Sequence, residues 1–330
     1  MLTPHARVVR SGEGTALATP DADYTFGKRS AKIVAAAAPQ LNGSRSLAEI
    51  ATEISVPEAV LSATLSVLSD EHLSDVTPIL HAKSPDRFLE AYFVLCDRWA
   101  VDIFVQPFWE SILSGHSSRK QVLGWCVEFY HRTVGADEHN AKSVEYCRDP
   151  EIRVWLEEHF LQELGHGRLF LDGLAASGLD PEQVAASPPL PSTRALIEYF
   201  NDLATSNTVA YLGCYGVLHS PRRGQTKANL DNQFDLLVRH YEFAAGILNK
   251  IREHAQIDLD LEHDQIVLEK LARRERAFPP EVAADILRAA RGSVNVFCEY
   301  FRGIHEYYGR VDALVPRTRS LSNETVHADS

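Results

Sequence analysis

The sequence is poor in the features that extracellular folding, membrane insertion or nucleic-acid binding require. Its 330 residues include five cysteines, which are scattered singly with no CxxC pair, so we expect no disulfide framework. No run of about 18 apolar residues occurs, and the first twenty residues lack the apolar stretch of a signal peptide. The net charge of −12 disfavours phosphate neutralisation, so nucleic acid is not an expected partner. The composition predicts a soluble cytoplasmic protein that spans no membrane.

Internal repeats and glycine-rich phosphate loops of the P-loop or Rossmann type are also missing. What the chain does contain is 45% hydrophobic and 24% charged residues, enough for a substantial core in an ordinary globular protein. The length indicates two domains, or one large domain and one small one.

The first eighty residues predict a small α+β domain. Residues 7–26 alternate short β-type runs with Gly and Pro-Asp turns, which is typical of a hairpin. Three short helical patterns follow, and the second begins with Ser46 as N-cap and Glu49 three residues later. We therefore predict a winged-helix-like domain over residues 1–80.

From residue 86 onward the patterns are almost entirely helical. We predict an amphipathic helix over 86–104, one continuous helix over 149–178 and one long helix over about 229–260. Many helices with short connections indicate an all-α bundle, here over residues 86–312. Residues 313–330 are predicted to be a disordered tail.

Three potential metal ligands lie in the stretch EEHFLQELGHGRLF. His159, Glu163 and His166 stand at positions i, i+4 and i+7, so one continuous helix would present them on one stripe. Apolar residues occupy much of the remaining circumference: Phe160, Leu161, Leu164, Leu169 and Phe170. Such a helix is expected inside a bundle, where a glutamate beside two histidines is costly unless it is paired or bound to a metal. The competing interpretation is a structural, solvated helix face.

Further candidate ligands follow along the chain. His254 and Asp258 are spaced i, i+4, which lets both reach one ion or form a local ion pair. His263 could join them only if the helix kinks. His219 follows the apolar run YLGCYGVL and is either a ligand or a C-terminal helix cap. Histidine and carboxylate donors without cysteine match the preference of iron for mixed N/O ligation.

Glu128 and His131 form another pair, spaced i, i+3 on a neighbouring predicted helix. We predict that they face the same cavity as substrate-binding or acid/base groups. A buried structural pair is the alternative.

The stretch QPFWESILSGHSSRKQVLGWCVEFYHRT resembles the opening helices of the PqqC and TenA families, and the likeness continues through WLEEHFLQELGHG and AYLGCYGVLHS. This resemblance implies the heme-oxygenase-like helical fold. The metal-bearing branch of that fold comprises the heme-oxygenase-like diiron oxidases and oxygenases. By their pattern, Glu163 and His166 would form the first ligand pair, and His254 and Asp258 would open an H-x3-D-x2-H motif.

The chain departs from that pattern at two positions. The middle carboxylate of the family aligns with His219, and the final histidine aligns with Leu261, two residues before His263. The resemblance therefore implies one or two Fe(2+) ions per chain, another metal, or a loss of metal use. The ligand candidates are therefore Glu163, His166, His219, His254 and Asp258. His159 and His263 are candidates for the remaining ligand position or for hydrogen bonding to a ligand.

The N-terminal stretches LNGSRSLAEIATEI and LSVLSDEHLSD resemble PqqD-like modules. Such modules hold a leader peptide against a strand edge by β-augmentation. An ordinary winged helix kept for packing or oligomerisation is an equal alternative, and a DNA-binding one is disfavoured by the balanced charges.

Together these resemblances imply a non-heme iron oxidase or oxygenase in natural-product biosynthesis. It would activate O2 on a small-molecule, amino-acid or carrier-peptide-linked substrate, and a homodimer is a further expectation. The alternatives are a cofactor-independent PqqC-like oxidase, a TenA-like hydrolase with a cysteine nucleophile, or a non-enzymatic adaptor that binds peptide or DNA.

Overall fold

The computed structural model describes residues 7–11, 14–18, 23–41, 45–70, 84–218, 226–261 and 266–310. The chain separates into two compact units. The first unit comprises Met1–Ala91 with Arg276–Ala284, and the second comprises Tyr92–Glu275 with Asp285–Ser330. The predicted tail 313–330 and most of the predicted boundary between residues 80 and 86 lie outside the described residues.

The first unit opens with a three-stranded antiparallel sheet in the order β1-β2-β3. Its strands are β1 (Arg7–Ser11), β2 (Gly14–Ala18) and β3 (Asp23–Thr25). The register places Val9 opposite Ala16 in the β1–β2 pair. The sheet thus contains the predicted hairpin and a third strand that the sequence patterns did not indicate.

Three helices follow the sheet in the first unit: α1 (Lys28–Ala37), α2 (Leu47–Glu53) and α3 (Glu58–Asp70). The start of α2 has the predicted capping box, in which the Glu49 N–H donates to the Ser46 hydroxyl and the Ser46 N–H donates to the Glu49 carboxylate. An N-cap of this kind stabilises a helix start by about 1 kcal/mol. The helices enclose a small core of Ile33, Val34, Ala37, Leu41, Ile50, Ala51, Leu61 and Leu65.

The remaining helices form a bundle. In chain order they are α4 (Pro85–Phe104), α5 (Pro107–Leu113), α6 (Arg119–Tyr146), α7 (Pro150–Glu163), α8 (His166–Ala176), α9 (Pro181–Ala186), α10 (Pro191–Ser206), α11 (Thr208–Leu212), α12 (Tyr215–Leu218), α13 (Lys227–His240), α14 (Ala245–Leu261), α15 (Ile266–Glu275) and α16 (Pro280–Arg310). Short 3-10 turns lie at Ala38–Gln40 and Glu242–Ala244. Proline at the first position of α5 supports that helix start, as predicted.

Helix α6 is the central rod of the second unit. It is buried on nearly every side around Val122, Trp125, Cys126 and Val127, and a helix with such a surface belongs inside a bundle. It packs against α7, α8 and α10, while α14 packs against α8 and α13. This arrangement brings the end of α7, the start of α8 and the middle of α14 together.

The predicted continuous helix over 149–178 is wrong. Helix α7 ends at Glu163 and α8 begins at His166, with Gly165 between them at a φ of 85°. Only glycine adopts this left-handed conformation without a steric penalty, so the chain changes direction there.

The predicted long helix over 229–260 is also interrupted. Helix α13 ends at His240, and α14 begins at Ala245 after the 3-10 turn. Tyr241 leaves the helical conformation, and its buried hydroxyl donates to the Ile112 carbonyl oxygen at 2.9 Å. This tertiary contact has no signature in the helical pattern.

None of the helices in the described ranges is long and apolar enough to cross a membrane by itself. The pair Leu47–Glu53 and Glu58–Val67 meets the length and composition criterion only when its two helices are taken together, across a bend of 112°.

Candidate metal centre

Three of the predicted ligands lie side by side although they belong to three helices. Glu163 is the last residue of α7, His166 is the first residue of α8, and His254 lies in α14. The His166 Nδ1 atom is 3.1 Å from Glu163 Oε2 and 3.0 Å from His254 Nε2. His254 Nε2 is 4.0 Å from Glu163 Oε2. One ligand atom from each residue lies within 4.8 Å of the other two.

This donor set fits a first-row metal ion. Two imidazoles and one carboxylate are the protein ligands of the facial triad in non-heme Fe(II) oxygenases. Adjacent donors bonded at about 2.1 Å to one ion stand roughly 3 Å apart, close to the two shorter distances observed here. A cation would also compensate the desolvation of the Glu163 carboxylate, which is 6% exposed.

The burial of Glu163 has a different origin from the predicted one. Leu161 and Leu164 are 65% and 52% exposed, so the expectation that this stretch is buried on much of its circumference is wrong. Helix α7 instead buries one stripe, at Ile152, Leu156, His159 and Glu163. Their spacing of i, i+4, i+7 and i+11 is that of a helix lying against a bundle with one face.

His159 lies on this inward stripe, one turn before Glu163. It is buried, and its ring centroid is 5.0 Å from that of Tyr215. Among the described residues, the set with mutually close ligand atoms consists of Glu163, His166 and His254, and His159 is not in it. Its role as a ligand stays a prediction.

Two further side chains border the cluster. The Gly165 N–H at the α7–α8 break donates to Asp137 Oδ1 on α6 at 3.4 Å. Burial raises the pKa of Asp137, the Gly165 N–H and the His166 charge lower it, and the Glu163 charge raises it further. The Phe170 ring centroid is 5.2 Å from that of His254.

The sequence patterns did not single out Asp137. It lies nine residues after Glu128, and nine residues at 100° each place the two side chains on opposite faces of α6. A helical wheel of α6 would have shown Asp137 on the face opposite Glu128.

The other predicted ligands lie at the edge of the described residues or beyond it. Asp258 lies on α14 one turn after His254, but its side chain is outside the described part of the chain. His219 and His263 are outside the described residues altogether. Their ligand roles stay predictions.

Glu128 is fully buried and accepts hydrogen bonds from three groups. The Leu190 N–H donates at 3.0 Å and the Thr193 hydroxyl at 2.5 Å, both to Oε2, and the Tyr308 hydroxyl donates to Oε1 at 3.0 Å. Burial raises the pKa of Glu128, and the three hydrogen bonds lower it in part. The carboxyl group thereby joins α6 to the start of α10 and the end of α16.

His131 contacts the segment between α9 and α10. Its Nε2 is 3.0 Å from the Ser187 hydroxyl, which itself donates to the Val184 carbonyl oxygen at 2.7 Å. His131 therefore carries its proton on Nε2 and donates it to Ser187. Burial lowers the pKa of His131 to about 4. These partners give Glu128 and His131 a structural function, and their catalytic role stays a prediction.

Comparison with known proteins identifies relatives of the helical bundle. Residues 123–297, more than half of the chain, match the profile of a family described as iron-containing redox enzyme. A solved structure of a domain of unknown function with a heme oxygenase-like fold, from Shewanella denitrificans OS217, shares 20% identity with a TM-score of 0.55, covering 67% of this chain and 92% of that one. A TenA homolog from Pseudomonas syringae pv. tomato str. DC3000 shares 12% identity over 70% of this chain and 98% of that one, with a TM-score of 0.49. No curated protein matches the chain. The predicted heme-oxygenase-like fold is confirmed.

Proposed function

Because the chain belongs to the family of iron-containing redox enzymes, we propose that it is a non-heme iron-dependent oxidase or oxygenase. The observation that supports this proposal is the convergence of Glu163, His166 and His254 within 4.8 Å. A heme iron takes its protein ligands only along its axis, whereas three protein donors clustered at one point are typical of a non-heme ion. Glu163, His166 and His254 would hold the iron.

When bound at these residues, ferrous iron supplies a site for O2 binding and reduction. The protein contributes charge and orientation. The Glu163 carboxylate offsets part of the metal charge, and the Phe170 ring beside His254 keeps water from one side of that imidazole. Asp137 accepts the Gly165 N–H and so helps to hold the α7–α8 junction, where Glu163 and His166 meet.

The finer parts of the proposal rest on the sequence. A second iron would draw on His159, His219, Asp258 or His263, of which Asp258 is one helical turn from His254. The substrate would be an amino acid, free or linked to a carrier peptide. A leader or carrier peptide would bind the small N-terminal sheet by strand addition.

Iron binding tests the proposal directly. The full-length chain is purified without oxygen, loaded with Fe(II), desalted and analysed for metal content. We expect one or two iron ions per wild-type chain and loss of iron from Glu163→Gln and His254→Gln. His116→Gln, which changes an exposed histidine next to Ser114, is the matched control and should keep its iron. The proposal fails if the wild type never holds stoichiometric iron, or if the Glu163 and His254 variants hold as much as the control.

The alternative functions make different predictions for the same samples. A PqqC-like oxidase would turn over substrate without metal, and an adaptor would bind peptide or DNA without O2 uptake. A TenA-like hydrolase requires a reactive thiolate. Burial raises the pKa of Cys214 to about 12 and that of Cys298 to about 11, so neither of these thiols is suited to that task.

A further inference from the structure

A buried tyrosine in the second unit is hydrogen-bonded to a histidine that no part of the proposed site uses. Tyr211 on α11 is fully buried, and its hydroxyl oxygen is 2.7 Å from His139 Nδ1. The same hydroxyl is 2.7 Å from Asn140 Oδ1, and both partners are buried residues of α6. A phenol thus lies at hydrogen-bonding distance from an imidazole nitrogen that can take up a proton.

Aromatic rings connect this phenol to the helix that carries Glu163. The Tyr211 and Tyr215 ring centroids are 5.4 Å apart, and those of Tyr215 and His159 are 5.0 Å apart. His159 precedes Glu163 by one turn of α7. The charge of Glu163 also raises the pKa of Tyr211, so the two groups lie within electrostatic reach of each other. The ring contacts therefore lead from Tyr211 to α7, the helix whose last residue is Glu163.

The surroundings of Tyr211 allow it to lose a proton only together with an electron. Burial raises its pKa far above the ordinary value, so the neutral phenol is the stable form. Removal of an electron makes a phenol strongly acidic, and the proton then needs an acceptor. His139 Nδ1 is in place for that proton.

Asn140 allows the hydrogen bond to run in that direction. Its Oδ1 accepts from Tyr211, and its Nδ2 has no hydrogen-bond partner among the described residues. Rotation of the amide by half a turn would present the NH2 group to the phenol oxygen. The Tyr211 hydroxyl would then donate to His139 rather than to Asn140.

We propose that Tyr211 is a redox-active tyrosine that gives one electron to the O2-oxidised iron and its proton to His139. The Tyr211 O–H bond breaks, an Nδ1–H bond forms, and neutral His139 becomes imidazolium. Tyr211 becomes a neutral tyrosyl radical, and the oxidised iron gains one electron. This step rests on the proposed function, because the iron held by Glu163, His166 and His254 is the oxidant.

Tyr241 offers a matched control. It is equally buried, but its hydroxyl pairs with backbone groups, the carbonyl oxygens of Ser111 and Ile112 at 3.2 and 2.9 Å. A peptide carbonyl does not take up the proton of an oxidised phenol. Tyr241→Phe therefore removes a comparable buried hydroxyl without removing a phenol–imidazole pair.

A first experiment needs no iron. The metal-free full-length chain is oxidised by a flash of light with tris(bipyridine)ruthenium and a sacrificial electron acceptor, and the tyrosyl radical is followed by transient absorption. We expect a long-lived radical in the wild type and in Tyr241→Phe, its loss in Tyr211→Phe, and a shorter lifetime in His139→Gln. Identical decays in the wild type and Tyr211→Phe would overturn the assignment of the radical.

A second experiment tests the link to iron. Fe(II)-loaded chain is mixed with O2, frozen within milliseconds and examined by electron paramagnetic resonance, with ring-deuterated tyrosine to identify the radical. The organic radical should appear in the wild type and Tyr241→Phe and be lost in Tyr211→Phe at equal iron content. An unchanged signal in Tyr211→Phe would refute the inference alone. Failure of the wild type to bind iron would refute the proposed function and its electron acceptor, while the flash experiment still decides whether Tyr211 and His139 form an oxidisable pair.

Discussion

Two buried glutamates in the same bundle have different surroundings. Glu163 has two imidazole nitrogens near its carboxylate, at 3.1 and 4.0 Å. Glu128 accepts hydrogen bonds from a backbone N–H and two hydroxyls. Both side chains are almost fully removed from water, and both belong to helices of the second unit.

The difference shows what converts a buried carboxyl into a candidate metal ligand. Three donors satisfy Glu128 without any ion, and an acid in this setting holds helices together. The two imidazoles beside Glu163 are those of His166 and His254, and His166 Nδ1 is 3.0 Å from His254 Nε2. Two ring nitrogens at this distance hold either a proton or a cation between them. Burial alone therefore does not identify the functional carboxylate.

The largest effect on iron affinity should come from replacing each of the two glutamates separately by glutamine. Glu163→Gln should weaken iron binding by more than ~100-fold. Loss of a residue that only hydrogen-bonds to a metal ligand already costs about 10–100-fold, and Glu163 would be a ligand itself. Glu128→Gln should leave iron affinity unchanged, because the Glu128 carboxylate is hydrogen-bonded to Leu190, Thr193 and Tyr308 and not to the candidate ligands. Anaerobic titration with Fe(II) measures both. Equal affinities in the two variants would remove the distinction between the two glutamates.

The next largest effect is the pH dependence of stability due to His131, which lies three residues after Glu128 on α6. Burial lowers its pKa from 6.5 to about 4, so folding favours the neutral ring. The neutral His131 ring contributes stability that is fully present above its ordinary pKa of 6.5. This contribution is lost as the pH falls towards the pKa of about 4 in the folded protein. Over that interval the wild type should lose up to about 3 kcal/mol more than His131→Gln, whose amide still reaches Ser187. Urea unfolding at both ends of the interval gives the difference, and parallel pH profiles would contradict it.

Glu128 itself should show a smaller effect of the opposite sign. Its pKa is raised by burial from 4.5, and the hydrogen bonds from Thr193, Leu190 and Tyr308 offset part of the rise. The protonated Glu128 contributes fully to the free energy of unfolding below pH 4.5, its ordinary pKa. This contribution is lost as the pH rises through the raised pKa of the folded protein. Wild-type stability should therefore decline over this range relative to Glu128→Gln, as measured by urea unfolding. A constant difference between the two proteins at every pH would contradict the assignment.

The smallest effect isolates the break that brings Glu163 and His166 together. Gly165 and Gly178 both have a φ of 85° and open space where a Cβ would lie. Alanine at either position should cost about 1 kcal/mol of stability through backbone strain. Gly165→Ala should also weaken iron binding, whereas Gly178→Ala, which lies just beyond α8, should not. Thermal unfolding and Fe(II) titration separate the two effects, and equal iron affinities would show that the junction does not position the ligands.

Much of the fold could be predicted because its signals are local. The capping box of Ser46 and Glu49 and the helix start at Pro107 follow from neighbouring residues. The apolar patterns predict most helices. The pairing of Glu163 with His166 could also be predicted, because the two residues are only three positions apart in the chain.

Apart from the helix break at Gly165, the errors arose where contacts between residues distant in the sequence determine the structure. The turn at Tyr241 depends on a carbonyl oxygen more than a hundred residues away, and no periodicity reports it. The exposure of Leu161 and Leu164 depends on which face of α7 packs against the bundle, the face of Ile152, Leu156, His159 and Glu163. Asp137 approaches the α7–α8 junction from α6, a contact that no local spacing predicts.

The sequence alone was sufficient for the helical character of the described stretches beyond residue 86, the mixed His and carboxylate donors, and the resemblance that implies iron. Side-chain chemistry and short-range periodicity contain that information. The three-dimensional fold was needed to establish that His254 joins Glu163 and His166, and that Glu128 is paired with hydroxyls and a backbone N–H instead. His166 and His254 are 88 positions apart and meet only because α8 packs against α14, an arrangement that depends on the whole bundle.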